Sequence, residues 1–222
     1  MVRMIYLGRC SDFVQEALQA LVTEHDRVVG LAGEASWSTD HVLYTNLFAR
    51  DTPPRLVAKH AALLGKAMDE LVQQAYGTTP VWVLTAGYIE SPVGCRPQYW
   101  HYDYGAKTEN IFIPLTPLTE RNGMEYVEWL SAEAGPAQVS RYGGRLSELL
   151  PLDLAALGIA EPYRIRRAAA APYDVLRMPW HLLHHGISNQ EPWVRRVFFM
   201  CMTLHPHFDL APHDKQPVVS WA

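Results

Sequence analysis

A chain of 222 residues with 49% hydrophobic content is long enough to bury one large core, and a single domain is the simplest reading, since all-β barrels often run to this length. The net charge of −4 and the lack of any Lys/Arg-rich run leave no electrostatic footprint for a nucleic acid or an anionic membrane. No apolar run reaches bilayer length, and Met1 to Gly8 is too short for a signal-peptide apolar region, so the chain reads as cytoplasmic. Cys10, Cys95 and Cys201 are widely spaced with no Cys-x-x-Cys pair, which suits buried thiols in a reducing compartment.

In chain order, Ser11-Asp12 offers N-cap chemistry, and Phe13, Val14, Ala17, Leu18 and Leu21 recur at helical spacing, which predicts an amphipathic helix over residues 11–24. Residues 31–52 scatter Trp37, Tyr44 and Phe48 among small polar residues without a sustained period, so they read as irregular and as a candidate pocket mouth. Pro53-Pro54 opens the clearest helix, with Leu56, Val57, Ala61, Leu64, Ala67, Met68, Leu71, Val72 and Ala75 on one stripe until Gly77 stops it. A stripe that wide needs a broad apolar surface, most simply the outer face of a sheet.

The texture turns to β at Val81–Ile89 and again at 98–104, 110–115, 124–129, 163–166, 174–178, 181–187 and 195–204. Asn122-Gly123 carries hairpin-turn chemistry because both residues tolerate positive φ. Residues 131–144 read as loop, 145–159 as one or two short helices and 205–222 as a loosely packed tail. Short strands without βαβ alternation predict a mostly β fold, an antiparallel barrel or sandwich of jelly-roll type. The expected organisation is one domain over 1–222, with a helical N-terminal part (1–80), a barrel core (81–204) and the tail.

The chemistry gathers around Gln98-Tyr99-Trp100-His101-Tyr102-Asp103-Tyr104. On an extended strand His101 and Asp103 project to one side, delivering an imidazole and a carboxylate to a single point. A third ligand is available in His181-Leu182-Leu183-His184-His185-Gly186, where His184 and His185 face opposite ways and only one can join. Two histidines and one carboxylate on one face of a metal suit non-haem Fe(II), with other positions open. Ser188 to Pro192 read as a turn, so the strand ending near His185 and the strand opening at Arg195 should be neighbours. Arg195 would then present a rigid fork for a carboxylate beside the metal candidate. His25, His41, His60, His181, His205 and His207 show no ligand pattern; Asp174 reads as a turn residue, and Arg164, Arg166 and Arg167 as a solvated strand edge.

Three ordered blocks carry a resemblance. Tyr99-Trp100-His101-Tyr102-Asp103, then Phe112-Ile113-Pro114-Leu115 through Asn122-Gly123-Met124, then Asp174-Val175-Leu176 through His185-Gly186 and Arg195 resemble the phytanoyl-CoA dioxygenase-like family of Fe(II)/2-oxoglutarate-dependent oxygenases. The resemblance covers roughly residues 81–204 and implies a double-stranded β-helix, a cupin-like jelly-roll barrel with the N-terminal helices packed on one sheet. It places His101, Asp103 and His185 as iron ligands and Arg195 as the 2-oxoglutarate anchor, with Gln98, Phe112 and Ser188 as cosubstrate-pocket candidates by position. His185 is chosen over His184 because it directly precedes Gly186, as the family's ligand does. Two departures bear on this: the spacing from His185 to Asn189 is one residue shorter than the family's, which lets Arg196 compete with Arg195, and Trp129-Leu130-Ser131-Ala132 replaces the family's Gly-Ser-His.

The implied activity is O2-dependent oxidation of a small to medium organic molecule, in secondary metabolism, with release of succinate and CO2. Hydroxylation is the default and desaturation or cyclisation are variants; Asp103 disfavours halogenation, because the carboxylate fills the position a halide would take. Two other classes share such a barrel. A cupin-type metalloenzyme, an isomerase or a 2-oxoglutarate-independent dioxygenase, would not need Arg195, and a non-catalytic barrel would serve as a binding module.

Overall fold

Two antiparallel sheets carry the fold in the computed structural model, which describes residues 3–32, 37–39, 42–50, 56–103, 108–130, 163–179 and 182–207. The elements run β1 (Ile5–Arg9), α1 (Asp12–Ala32), β2 (Trp37–Thr39), β3 (Val42–Ala49), α2 (Ala58–Tyr76), β4 (Trp82–Ser91), β5 (Thr108–Pro114), β6 (Met124–Trp129), β7 (Tyr163–Ala168), β8 (Asp174–Pro179), β9 (His184–Gly186) and β10 (Arg195–Thr203). The larger sheet has the order β1-β8-β5-β10-β4-β3-β2 and the smaller β7-β6-β9. The fold is the mostly β, jelly-roll architecture expected, with two helices on the larger sheet.

Strand alternation decides what each face of the larger sheet does. On β10, Phe198, Met200 and Met202 join Ala86 and Tyr88 of β4, Ile111 and Ile113 of β5 and the buried stripes of α1 and α2 in one core. Val197 and Phe199 point the other way, into a second cluster with Phe112, Leu176 and Met178 that also takes in Met124 and Tyr126 of the smaller sheet. The inner faces of the two sheets thus meet over the second cluster. Arg195 and Arg196 obey the same parity: Arg195 goes inward with Val197, and Arg196 goes outward with Phe198, where it pairs with Glu90 and Asp26.

The helices begin and end on local chemistry. Ser11 Oγ accepts the Val14 N–H at 3.2 Å and caps α1. Gly77, at φ 58, stops α2 with its N–H on the Gln73 carbonyl, a backbone conformation that favours glycine. α1 runs well past residue 24, because the buried stripe continues through His25, which stacks edge-on to Tyr88 at 5.5 Å and meets Thr45 Oγ1 at 3.2 Å.

Several expectations are corrected. The first 80 residues are not only helical, since β1, β2 and β3 all join the larger sheet. Residues 42–49 form a strand rather than an irregular stretch; a register shift between Asn46 and Phe48 breaks the period that would have revealed it. Asn122-Gly123 is not a hairpin turn. Neither residue has positive φ, and the segment is a corner that carries the chain from β5 in the larger sheet to β6 in the smaller. Asn122 braces that corner, with Oδ1 accepting the Thr119 N–H and Nδ2 donating to the Pro117 carbonyl. The turn after β9 likewise changes sheets, so β9 and β10 face each other across the interior and are not hydrogen-bonded neighbours. The loop and helices expected at 131–159, the helix start at Pro53-Pro54 and most of the tail lie outside the described residues. All three cysteines are free and buried.

Arg196 fastens α1 to the sheet by pairing with Asp26 and with the buried Glu90. Arg196→Ala strands Glu90 without its cation and should cost about 3 kcal/mol of stability in urea melts, while leaving small-molecule binding in the interior unchanged.

Candidate metal centre

The site is built where residues 98–101 run antiparallel beside β9. His101 and His184 form a reciprocal backbone pair, His101 N–H to the His184 carbonyl at 2.9 Å and His184 N–H to the His101 carbonyl at 3.1 Å. Residues directly opposed in an antiparallel pair project to the same face. Asp103, two residues on from His101, projects there as well. One ligand atom from each of His101, Asp103 and His184 falls within 4.8 Å of the others. The Nε2 atoms of His101 and His184 lie 3.4 and 3.5 Å from Asp103 Oδ1 and Oδ2 respectively.

His185, expected from sequence as the third ligand, is corrected on position: it sits on the opposite face. Its ring stacks on Trp100 at 4.2 Å, Nδ1 meets the Gln98 carbonyl at 3.0 Å, and Nε2 meets Glu125 Oε2 at 3.0 Å. This side chain closes a bulge. Gln98 N–H reaches the Gly186 carbonyl while His101 pairs with His184, so the 98–101 stretch has one residue more than β9 over the same span. The extra residue is why Gln98 and His101, three apart, both line the same pocket.

The imidazoles of His101 and His184 are each oriented by a backbone carbonyl. His101 Nδ1 lies 2.7 Å from the Tyr99 carbonyl and His184 Nδ1 lies 3.0 Å from the Leu182 carbonyl. A carbonyl only accepts, so Nδ1 carries the proton in both rings and each Nε2 presents a lone pair. Burial pushes the His184 imidazole down to about 4, with Asp103 opposing the shift and His101 adding to it. Asp103 is held below its ordinary value: burial would raise it, but the positive charge that His184 and His101 carry when protonated outweighs burial. Two nitrogen lone pairs and a carboxylate therefore converge on one point, a donor set that a divalent cation satisfies and that fits Fe(II).

Behind this trio a pocket runs between the sheets along Ile89, Phe112, Leu118, Met124, Leu176 and Val197. Arg195 lies in its wall, 5% exposed. Nη1 donates to the carbonyls of Asn122, Gly123 and Ile187, and Nε and Nη2 both donate to Ser91 Oγ. Every one of these acceptors is neutral, and no carboxylate among the described residues forms an ion pair with Arg195. Burial works against its charge. A buried guanidinium whose described partners are all neutral carries an uncompensated charge, which is costly to bury. Gly186 is required beside it, since a Cβ there would lie 2.5 Å from Gln98 Oε1 and 2.8 Å from Arg195 Nη2. Gln98 Oε1 accepts the Gly186 N–H, and its Nε2 donates to the Tyr44 hydroxyl across to β3.

Of the residues expected from sequence, His101, Asp103, Gln98, Phe112 and Arg195 share this pocket, whereas His185 lies behind it and Ser188 is not in its wall. Sequence reasoning missed Ser91 and Asn189, and gave Tyr44, which lines the pocket, only a place in a candidate pocket mouth. Asn189 is fully buried and braces the turn between the sheets, with Nδ2 on the carbonyls of Ser91 and Trp193. A second group of potential ligands, His25, Asp26 and Glu90, is already bridged by Arg196.

No protein-family model matches the sequence, and no curated protein does either. The fold does have solved counterparts. It is similar to AviO1 from Streptomyces viridochromogenes Tue57, with a TM-score of 0.58 and 16% identity over 94% of this chain and 92% of that one. It is also similar to the non-heme alpha-ketoglutarate-dependent carbocyclase SnoK from nogalamycin biosynthesis, with a TM-score of 0.60 and 17% identity over 90% of this chain and 79% of that one. HygX from Streptomyces hygroscopicus, solved with nickel and 2-oxoglutarate bound, aligns with a TM-score of 0.57 and 10% identity over 90% of this chain and 82% of that one. At these identities the likeness is one of fold.

The His184 shift carries a pH dependence. The unfolded chain takes up this proton below the ordinary 6.5, while the folded chain resists it until about 4, so stability should fall as pH drops through that window. Thermal melts of metal-free protein should show this slope, and His184→Asn should flatten it; an unchanged slope in the variant would contradict the assignment.

Proposed function

We propose that the protein is an Fe(II)/2-oxoglutarate-dependent oxygenase of the phytanoyl-CoA dioxygenase-like kind, acting on a small to medium organic molecule. The observation that carries this reading is the pairing of two features in one pocket: three converging metal-ligand atoms at one side and a buried Arg195, with no anion among the described residues, in the wall. A 2-oxo dicarboxylate answers both, by chelation at one end and a carboxylate on a rigid guanidinium fork at the other. The fold shared with SnoK and HygX supports the same reading.

In this reading His101, Asp103 and His184 would hold the iron, each imidazole kept in its Nδ1–H form by a backbone carbonyl. Bound Fe(II) with 2-oxoglutarate and O2 would supply the oxidising chemistry, coupling release of succinate and CO2 to oxidation of a substrate C–H bond. Arg195 binds and orients the far carboxylate, and Ser91 with the three carbonyls fixes its fork before the ligand arrives. The apolar wall of Ile89, Phe112, Leu176 and Val197 excludes water from the cosubstrate. Hydroxylation is the default outcome. With Asp103 as a ligand, the iron would have no position for a halide in its place, which disfavours halogenation.

Anaerobic addition of Fe(II) and then 2-oxoglutarate should produce a visible metal-to-ligand charge-transfer band, followed by titration. Arg195→Ala should weaken 2-oxoglutarate binding by about 2 kcal/mol, near thirtyfold, while Arg196→Ala leaves it unchanged. Equal behaviour of the two variants would favour a cupin-type metalloenzyme that does not use 2-oxoglutarate.

A further inference from the structure

β5 is a central strand whose inward side chains are Thr108, Asn110 and Phe112. Asn110 lies in register between Met178 of β8 and Cys201 of β10, so a 2% exposed amide stands between two apolar neighbours. Its Nδ2 donates to Asp103 Oδ2 at 2.8 Å. Its Oδ1 is buried with no hydrogen-bond partner among the described residues. Exchanging the two amide atoms would set an oxygen against a carboxylate oxygen, so the orientation follows from the contact itself. A buried acceptor left unmet costs stability, and an apolar side chain would avoid that cost. Among the described residues only one end of this amide is used, and it is used on Asp103.

We infer that Asn110 is a positioning residue that restricts Asp103 to one-oxygen metal coordination and so keeps a coordination position open for the cosubstrate. This rests on the proposed metal site. A carboxylate can bind a metal through one oxygen or both. The Asn110 N–H draws on the charge and a lone pair of Oδ2, which leaves Oδ1, on the His101 side, as the stronger ligand. Thr108 supports the same residue from its backbone, with Oγ1 at 3.5 Å from the Asp103 carbonyl. Without the Asn110 donor, Oδ2 is released toward the metal, and a two-oxygen carboxylate competes with the chelating end of a 2-oxo acid for one site. The residue therefore governs cosubstrate affinity from a place where it touches no cosubstrate.

The test uses the intact chain under anaerobic conditions. Fe(II) affinity is measured first; 2-oxoglutarate is then titrated into Fe(II)-saturated protein by its charge-transfer absorption, for wild type, Asn110→Leu and the smaller, more easily folded Asn110→Ser. Both variants should hold Fe(II) at least as tightly as wild type, because the released Oδ2 adds a second oxygen donor. Both should also bind 2-oxoglutarate several-fold more weakly once iron-saturated, although Arg195 is untouched. The inference is overturned if iron-saturated variants bind 2-oxoglutarate as wild type does, since a merely structural asparagine would lower stability and metal affinity and leave that step alone. Wild type that binds no Fe(II), or His101→Ala that binds it equally well, would instead bring down the metal site on which the inference rests.

Discussion

The site depends on one antiparallel contact, the reciprocal backbone pairing of His101 with His184. That pairing sets two side chains from distant parts of the chain on one face of two strands, and the two-residue period of an extended chain adds Asp103. His185 guards the register from behind. Wedged between Trp100, the Gln98 carbonyl and Glu125, it clamps the extra residue of the 98–101 stretch, so that Gln98 and His101 turn the same way. Neighbouring histidines thus divide the work by strand parity, one facing the pocket and the other holding the strand that supplies its partner ligand.

The second constraint is the crossing between sheets after β9. Because the chain passes from the smaller sheet to the larger there, Arg195 approaches β9 from the opposite wall and not from an adjacent strand. Its Nη1 still reaches the Ile187 carbonyl, and Gly186 leaves room for the guanidinium to pass. Asn189 and Ser91 tie this crossing to the end of β4. The Arg195 end of the pocket is tied down by the same crossing that closes the fold.

Much of this was legible in the residues. The stripe on the second helix, the His-x-Asp spacing and the parity that separates Arg195 from Arg196 follow from periodicity alone. What was not legible depends on irregularity. The choice of His185 followed its adjacency to Gly186, yet the one-residue shortfall to Asn189 was the contrary signal, because counting from His184 removes it. The register shift in β3 hid a strand, and His25 in the buried stripe of α1 hid a longer helix, since a polar residue there packs as a core residue. Asn122-Gly123 carries turn chemistry that the structure spends on a corner, because pairing partners for β5 and β6 are chosen by the sheets and not by the turn.

The most direct measurement is a crystal structure grown anaerobically with Fe(II), or with Ni(II) as an inert stand-in, and 2-oxoglutarate. The account requires one ion bound within about 2.2 Å of Nε2 of His101 and His184 and of a carboxylate oxygen of Asp103, with the distal carboxylate of 2-oxoglutarate on Arg195. An ion held by His185, or a 2-oxoglutarate carboxylate placed away from Arg195, would contradict it.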